Sequence, residues 1–280
     1  PAFLMSPISA AQYLAPTAVT FDLLIFDEAS QVRPEDALGV IARAKQVVVV
    51  GDQKQLPPTN FFSRLSENTY DEDDLEKDDV NEAIARVTEM ESVLTLCAAR
   101  GIPSRMLSWH YRSKDPSLIR ISNMEFYDDQ LIMIPTPEDR ADHLGLHLTR
   151  VNGVYSPTST KSGRPGTNRI EAEALVNAVS AHAERQPELS IGLVAFSKAQ
   201  SDMVSESLDA RRKTNPNLDA YMREERSESI FVKNIENVQG DERDVILISV
   251  GYGPQIQGGR LTSMSFGPIN SEGGERRLNV

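Results

Sequence analysis

Two aliphatic runs, each closed by acid and amide groups, constrain this chain more than any other feature. The first reads "FDLLIFDEASQ", from Phe21 to Gln31, and the second "VVVVGDQKQLPPT", from Val47 to Thr59. Apolar runs this short, rich in β-branched residues, fit strands buried on both faces of a parallel sheet. Phe21–Phe26, Val47–Val50, Ile191–Phe196 and Val245–Val250 all read this way. Between them lie stretches with apolar residues at helical spacing: "SLIRISNMEFY" after Pro116, Arg169–Glu184 and Lys198–Lys213. Strands alternating with helices imply an α/β fold. In such sheets ligands bind beyond the carboxyl ends of the strands. Asp27 and Glu28 would therefore face the same crevice as Gly51, Asp52 and Gln53.

The 280-residue chain is long enough for two domains. No apolar run approaches the ~20 residues that cross a membrane, and the opening "PAFLMSPIS" lacks the order of a signal peptide. Cys97 is the single cysteine, which makes a cytoplasmic setting the simplest expectation. Within "SVLTLCAA" it reads as a small buried hydrophobe. The net charge of −12 would disfavour a nucleic-acid partner if it were evenly spread. It is not: between Glu67 and Glu91 eleven acidic residues meet only Lys77 and Arg86, a local balance of −9 that leaves −3 elsewhere. Ser66–Glu82 is too polar to pack a core and reads as a solvated loop or helix surface. Asn152–Asn168, rich in Gly, Pro, Ser and Thr, reads as a loop.

An apolar run ending in Asp-Glu matches the Walker B arrangement of nucleotide hydrolases, where one acid helps hold Mg2+ and the next positions the attacking water. Alone, the pair is equally compatible with a surface turn. Three further stretches weigh against that: "GDQKQLPPT" (Gly51–Thr59), "LSWHYRS" (Leu107–Ser113), and "NIENVQGDERDVILIS" (Asn234–Ser249) followed by "GGERRLNV" (Gly273–Val280). In this order they resemble motifs II, III, IV, V and the start of VI of superfamily-one helicases. The branch they resemble is the one containing the nonsense-mediated-decay helicase and its large bacterial relatives. The resemblance implies two RecA-like parallel-sheet domains, ATP and Mg2+ as cofactors, and single-stranded nucleic acid, DNA or RNA, as partner.

By that resemblance Asp27 would hold Mg2+ through water, Glu28 would activate the attacking water and Gln55 would sense the γ-phosphate. Gly51 and Asp52 belong to the same phosphate-sensing motif. From the second domain Arg112 would reach the γ-phosphate and Tyr111 would stack on the base. Gly240 would let the backbone pass close to the nucleotide, and Glu242 would bond the ribose. Ser6, Pro7, Phe196, Ser197 and Asn237 match positions that touch the nucleic-acid backbone. Plainer readings stand beside these. Arg112 precedes a helix, where an arginine can pair with a nearby acid; Gly51 can be a turn residue; Phe196 can be the last core residue of its strand; Ser6-Pro7 is a common dipeptide.

No G-x-x-x-x-G-K-S/T phosphate loop occurs in the chain. In helicases of this kind the loop precedes motif II, and the motif VI arginine would fall just past Val280. The expectation is therefore a piece of a larger protein, inactive by itself. Residues 1–65 would be the later part of a first RecA-like domain without its phosphate loop, and 66–104 an acidic and helical connection. Residues 105–280 would be a nearly complete second domain. The leading function is the motor core of an ATP-dependent helicase or translocase, with a non-hydrolysing nucleic-acid clamp or scaffold as the alternative. Two metal signals fail. His143 and His147 are four apart in what reads as extended chain, ~13 Å distant, and the contiguous "DEDD" of Asp71–Asp74 reads as a solvated face.

Overall fold

The computed structural model describes residues 2–15, 19–58, 91–135, 144–158, 164–223, 228–261, 266–270 and 273–279. The expectations for Ser66–Glu82, for Asp71–Asp74 and for His143 fall outside them. Contacts divide the chain into two units, Pro1–Thr136 with Asn279, and Pro137–Leu278 with Val280. No helix among the described residues is long and apolar enough to cross a membrane.

In the first unit α1 (Pro7–Tyr13), β1 (Leu24–Phe26), α2 (Pro34–Ile41), β2 (Val47–Val49) and α3 (Val93–Ala99) precede β3 (Trp109–His110), α4 (Ser117–Phe126) and β4 (Ile132–Met133). Strands β1 and β2 run parallel, with Leu24 opposite Val47 and Phe26 opposite Val49; β3 and β4 pair in the same sense. Local chemistry starts the helices. Pro34 opens α2 with Glu35 and Asp36 in its first turn, where negative charge meets the positive end of the helix. Ser92 and Thr95 form a reciprocal capping box at α3: the Ser92 hydroxyl accepts the Thr95 N–H (3.3 Å) and the Thr95 hydroxyl accepts the Ser92 N–H (2.9 Å). Phe26, Ala29, Ala37 and Val93 form the buried core, with Leu24, Val32, Val47, Val49 and Cys97 packed against it. Burial raises the Cys97 thiol pKa, so this cysteine packs as an inert small hydrophobe.

The second unit holds α5 (Arg169–Arg185), β5 (Ile191–Ala195), α6 (Lys198–Arg212), α7 (Pro216–Arg223), β6 (Phe231–Asn234) and β7 (Val245–Ser249). Its three strands are parallel in the order β6-β5-β7. The central β5 is buried at every residue, as its apolar run predicts. Val176 and Val179 of α5 and Val204 and Leu208 of α6 close over Ile191 and Leu193, together with Leu218 and Tyr221 of α7. Each such side chain removed from water contributes ~1.5–3 kcal/mol. Gly192 has no room for a side chain, since a Cβ there would lie 2.4 Å from the Phe231 ring.

The other three runs are not buried on both faces. Ile25, Val48, Ile246 and Ile248 are exposed, alternating with inward-facing neighbours. The pleat sends successive side chains to opposite faces, and among the described residues only one face of β1, β2 and β7 is packed.

Candidate functional site

The parallel register of β1 and β2 brings their carboxyl ends out together. The Val50 N–H donates to the Phe26 carbonyl (2.8 Å), and the Ala29 N–H returns to the Val50 carbonyl (2.9 Å). Asp27 and Glu28 lie exposed at this joined end. Glu28 has φ 50 and ψ 41, the left-handed region. That conformation costs a non-glycine residue roughly 1–2 kcal/mol, and such strain clusters at ligand sites. The Asp27 carboxylate accepts the Glu28 N–H (3.0 Å), fixing one acid against the backbone of the next. Gly51 is required by space: a Cβ would lie 3.0 Å from the backbone nitrogens of both Ala29 and Ser30. The Ser30 hydroxyl beneath is buried and has no hydrogen-bond partner among the described residues.

After β2 the chain makes a turn held by Asp52. One carboxylate oxygen accepts the Lys54 N–H (2.8 Å), and the Asp52 carbonyl accepts the Gln55 N–H (3.3 Å). The other carboxylate oxygen accepts the Tyr127 hydroxyl at 2.5 Å. Burial, with the Asp52 carboxylate beside it, pushes the Tyr127 pKa up to about 12, so the hydroxyl remains a donor at neutral pH. Asn279, which groups with this unit, donates to the same hydroxyl (2.7 Å) and to the Lys54 carbonyl (3.1 Å). Tyr127 escapes sequence reasoning because it lies 75 residues beyond its partner with no motif to flag it.

Tyr111 and Arg112 occupy the turn that follows β3, both exposed, Tyr111 to 83%. His110 closes that turn: its Nε2 accepts the Ser113 N–H (3.2 Å) and lies 2.7 Å from the Ser113 hydroxyl. Because Nε2 accepts, the ring proton belongs on Nδ1. Burial first, and the Arg112 charge second, lower the His110 pKa. Contacts group Tyr111 and Arg112 with Asp27, Glu28 and Gln55 in the first unit.

The residues expected at nucleic acid lie at helix starts and strand ends. The Ser6 hydroxyl accepts the Ser9 N–H (3.1 Å) and caps α1, with Pro7 as its first helical residue. In the second unit the Ser197 hydroxyl accepts the Gln200 N–H (3.1 Å) and caps α6. These are helix-capping roles. Phe196 is half-buried and its N–H donates to the Ser249 carbonyl (3.1 Å). Asn237 ends a 3-10 turn, Ile235–Asn237, directly after β6. Gly240 follows with φ 84 and open space around it, so it is there for its backbone conformation, and Glu242 is exposed. A buried polar network backs this edge. The Gln200 amide donates to the Ser249 hydroxyl (3.0 Å), Ser249 to Glu171 (2.8 Å), and the Asn168 N–H to Gln200 (2.8 Å).

The first-unit cluster suits a hydrated Mg2+ and a phosphate chain. Mg2+ takes hard oxygen ligands, keeps several waters and needs only one or two protein carboxylates beside the substrate's own oxygens. Asp27 offers such a carboxylate, and Gly51 a strand end bare of side chain.

Residues 89–280 match a family described as an AAA domain, and residues 7–63 match a second family of the same description. The chain is 33% identical over 285 residues to the "Uncharacterized ATP-dependent helicase MG140" of Mycoplasma genitalium, spanning 100% of this chain and 24% of that protein. It is 24% identical over 237 residues to the "Uncharacterized ATP-dependent helicase MJ0104" of Methanocaldococcus jannaschii, spanning 82% of this chain and 31% of that protein. It is also 25% identical over 250 residues to the "DNA replication ATP-dependent helicase/nuclease dna2" of Schizosaccharomyces pombe, spanning 82% of this chain and 16% of that protein.

Proposed function

The chain belongs to the AAA-domain family of superfamily-one ATP-dependent helicases, and on that premise we propose that it forms the motor core through which a larger protein couples ATP hydrolysis to movement on single-stranded nucleic acid. The observation that carries this reading is the joined end of β1 and β2, where Glu28 is held in a strained left-handed conformation beside Asp27 and Gly51. Mg2+ held at Asp27 would neutralise charge on the phosphates. Glu28 takes the proton of the attacking water, and Gln55 contacts the γ-phosphate from the Asp52 turn. Arg112 offers two parallel donors to oxygens that gain charge during transfer. Tyr111 stacks on the base, Gly240 passes near the nucleotide and Glu242 meets the ribose. Ser6, Pro7, Phe196, Ser197 and Asn237 lie along the nucleic-acid path, a role that rests on their match to motif positions. Two RecA-like domains, with 66–104 connecting 1–65 to 105–280, belong to the same proposal and rest on motif order.

The test is Glu28→Gln in the full-length protein. The amide is nearly isosteric yet cannot accept the proton, so nucleic-acid-stimulated phosphate release should fall by ~10²–10⁴ while nucleotide still binds. Unchanged turnover removes Glu28 from the mechanism. A wild-type protein that binds nucleic acid without any turnover favours the clamp or scaffold instead.

A further inference from the structure

We propose that Tyr127 is a positioning residue for Gln55, holding, through one hydroxyl group, the Asp52–Gln55 turn from which Gln55 projects. The proposal rests on the reading of Gln55 as the group that contacts the γ-phosphate. The Tyr127 hydroxyl donates to one Asp52 oxygen while the other Asp52 oxygen accepts the Lys54 N–H, so both ends of that carboxylate are engaged. The Asp52 carbonyl in turn accepts the Gln55 N–H (3.3 Å), so the backbone that carries Gln55 is tied to the residue Tyr127 grips. A glutamine on an unanchored loop samples many backbone and side-chain conformations, and ordering them opposes productive contact with a ligand. Here Tyr127 holds Asp52 and Asp52 holds the backbone of Lys54 and Gln55, so part of that ordering is done before any ligand arrives.

The anchor is itself fixed. Tyr127 ends α4, and its N–H donates to the Asn123 carbonyl (3.2 Å). Asn123 is 3% exposed, and its side chain clamps the backbone of Leu131, accepting the N–H (3.0 Å) and donating to the carbonyl (3.2 Å). The chain between them turns through Asp128 and Asp129, both in the left-handed region. The hydroxyl is thus presented by a helix end and a two-bond clamp. Its half-buried setting strengthens the bond to Asp52 relative to one in open water.

The experiment compares Tyr127→Phe, Asp52→Ala, their double variant and Gln55→Ala in the full-length protein. Tyr127→Phe keeps the ring and removes only the hydroxyl. We expect kcat for ATP to fall on the order of tenfold with KM nearly unchanged, and the double variant to be no slower than the worse single one, because both changes cut one linkage. Hydrogen exchange over Gly51–Pro58 should quicken in Tyr127→Phe, a readout that needs no turnover. If Gln55→Ala is slow and Tyr127→Phe turns over like wild type, the positioning role is overturned while the reading of Gln55 stands. If Gln55→Ala turns over like wild type, that reading fails and takes the catalytic part of the proposal with it. Unchanged exchange in Tyr127→Phe overturns the structural part in either case.

Discussion

Arg277 places Nε and Nη2 each 2.8 Å from a single oxygen, Oε1, of Glu236. The guanidinium side chain is 6% exposed and the carboxylate side chain 40%. Glu236 lies in the 3-10 turn just before Gly240 and Glu242, so the pair braces the segment expected to meet the sugar of the nucleotide. Removing the acid takes the Glu236 carboxylate from a buried cation, whereas Arg277→Met removes the cation itself and leaves an acid that water can reach. Glu236→Ala should therefore lower stability more than Arg277→Met, by ~1–2 kcal/mol given that Glu236 is partly solvated. Thermal melting of the two variants beside wild type decides it; equal midpoints in the two variants would remove the asymmetry, and midpoints equal to wild type would mean the pair contributes nothing.

Glu28 is the residue at which folding and chemistry should part company. Glycine adopts its left-handed backbone without the Cβ penalty. Glu28→Gly should thus melt at the same temperature as wild type or higher, by up to ~1 kcal/mol of stability, while phosphate release by the full-length protein is lost. A lower midpoint for Glu28→Gly would show that the glutamate side chain contributes contacts larger than the strain.

Arg112 should matter to turnover and little to nucleotide affinity. Loss of an arginine that meets the transition state costs ~10³–10⁵ in rate. Arg112→Lys keeps the charge but not the planar fork, so it should also be slow. Nucleotide titration and nucleic-acid-stimulated phosphate release on Arg112→Ala and Arg112→Lys measure this. Wild-type rates in both would reduce Arg112 to a structural role.

His110 should make the first unit acid-sensitive. Its pKa is lowered from 6.5 on folding, so below that value the unfolded chain takes up a proton that the folded turn resists. Stability then falls as pH drops from 6.5 toward the folded pKa and is unaffected above 6.5. The causes are burial of the ring and the Arg112 charge beside it, and protonation would also take Nε2 from the Ser113 N–H. Melting temperatures at pH 7.5 and 5.5 should differ less in His110→Asn, which offers an uncharged acceptor, than in wild type. An equal pH dependence would place the sensitivity elsewhere.

The strands that read clearly in the sequence are those whose apolar runs outlast their neighbours, Ile191–Ala195 above all. Trp109–His110, Ile132–Met133 and Phe231–Asn234 are too short or too mixed to stand out, and only pairing with a neighbour makes them strands. The acids at the strand ends were legible because their position follows from the fold class. The bonds among them were not. Glu28's backbone angle, the Tyr127 hydroxyl on Asp52 and the Gln200–Ser249–Glu171 chain depend on registers between segments that a pattern of residues does not contain. Ser6 and Ser197 show the opposite case, a motif position whose visible work is to cap a helix.

Gly51 leaves a mark that sequencing alone could misread. A methyl group there would press on two backbone nitrogens, which cannot swing aside as a side-chain tip can. In a library randomised across this loop, the exposed Gln53 and Lys54 would accept many replacements, whereas position 51 would be enriched in glycine among survivors. Such depletion is usually credited to chemistry. At this position it would record clearance, a gap one atom wide kept open so that two strand ends can touch.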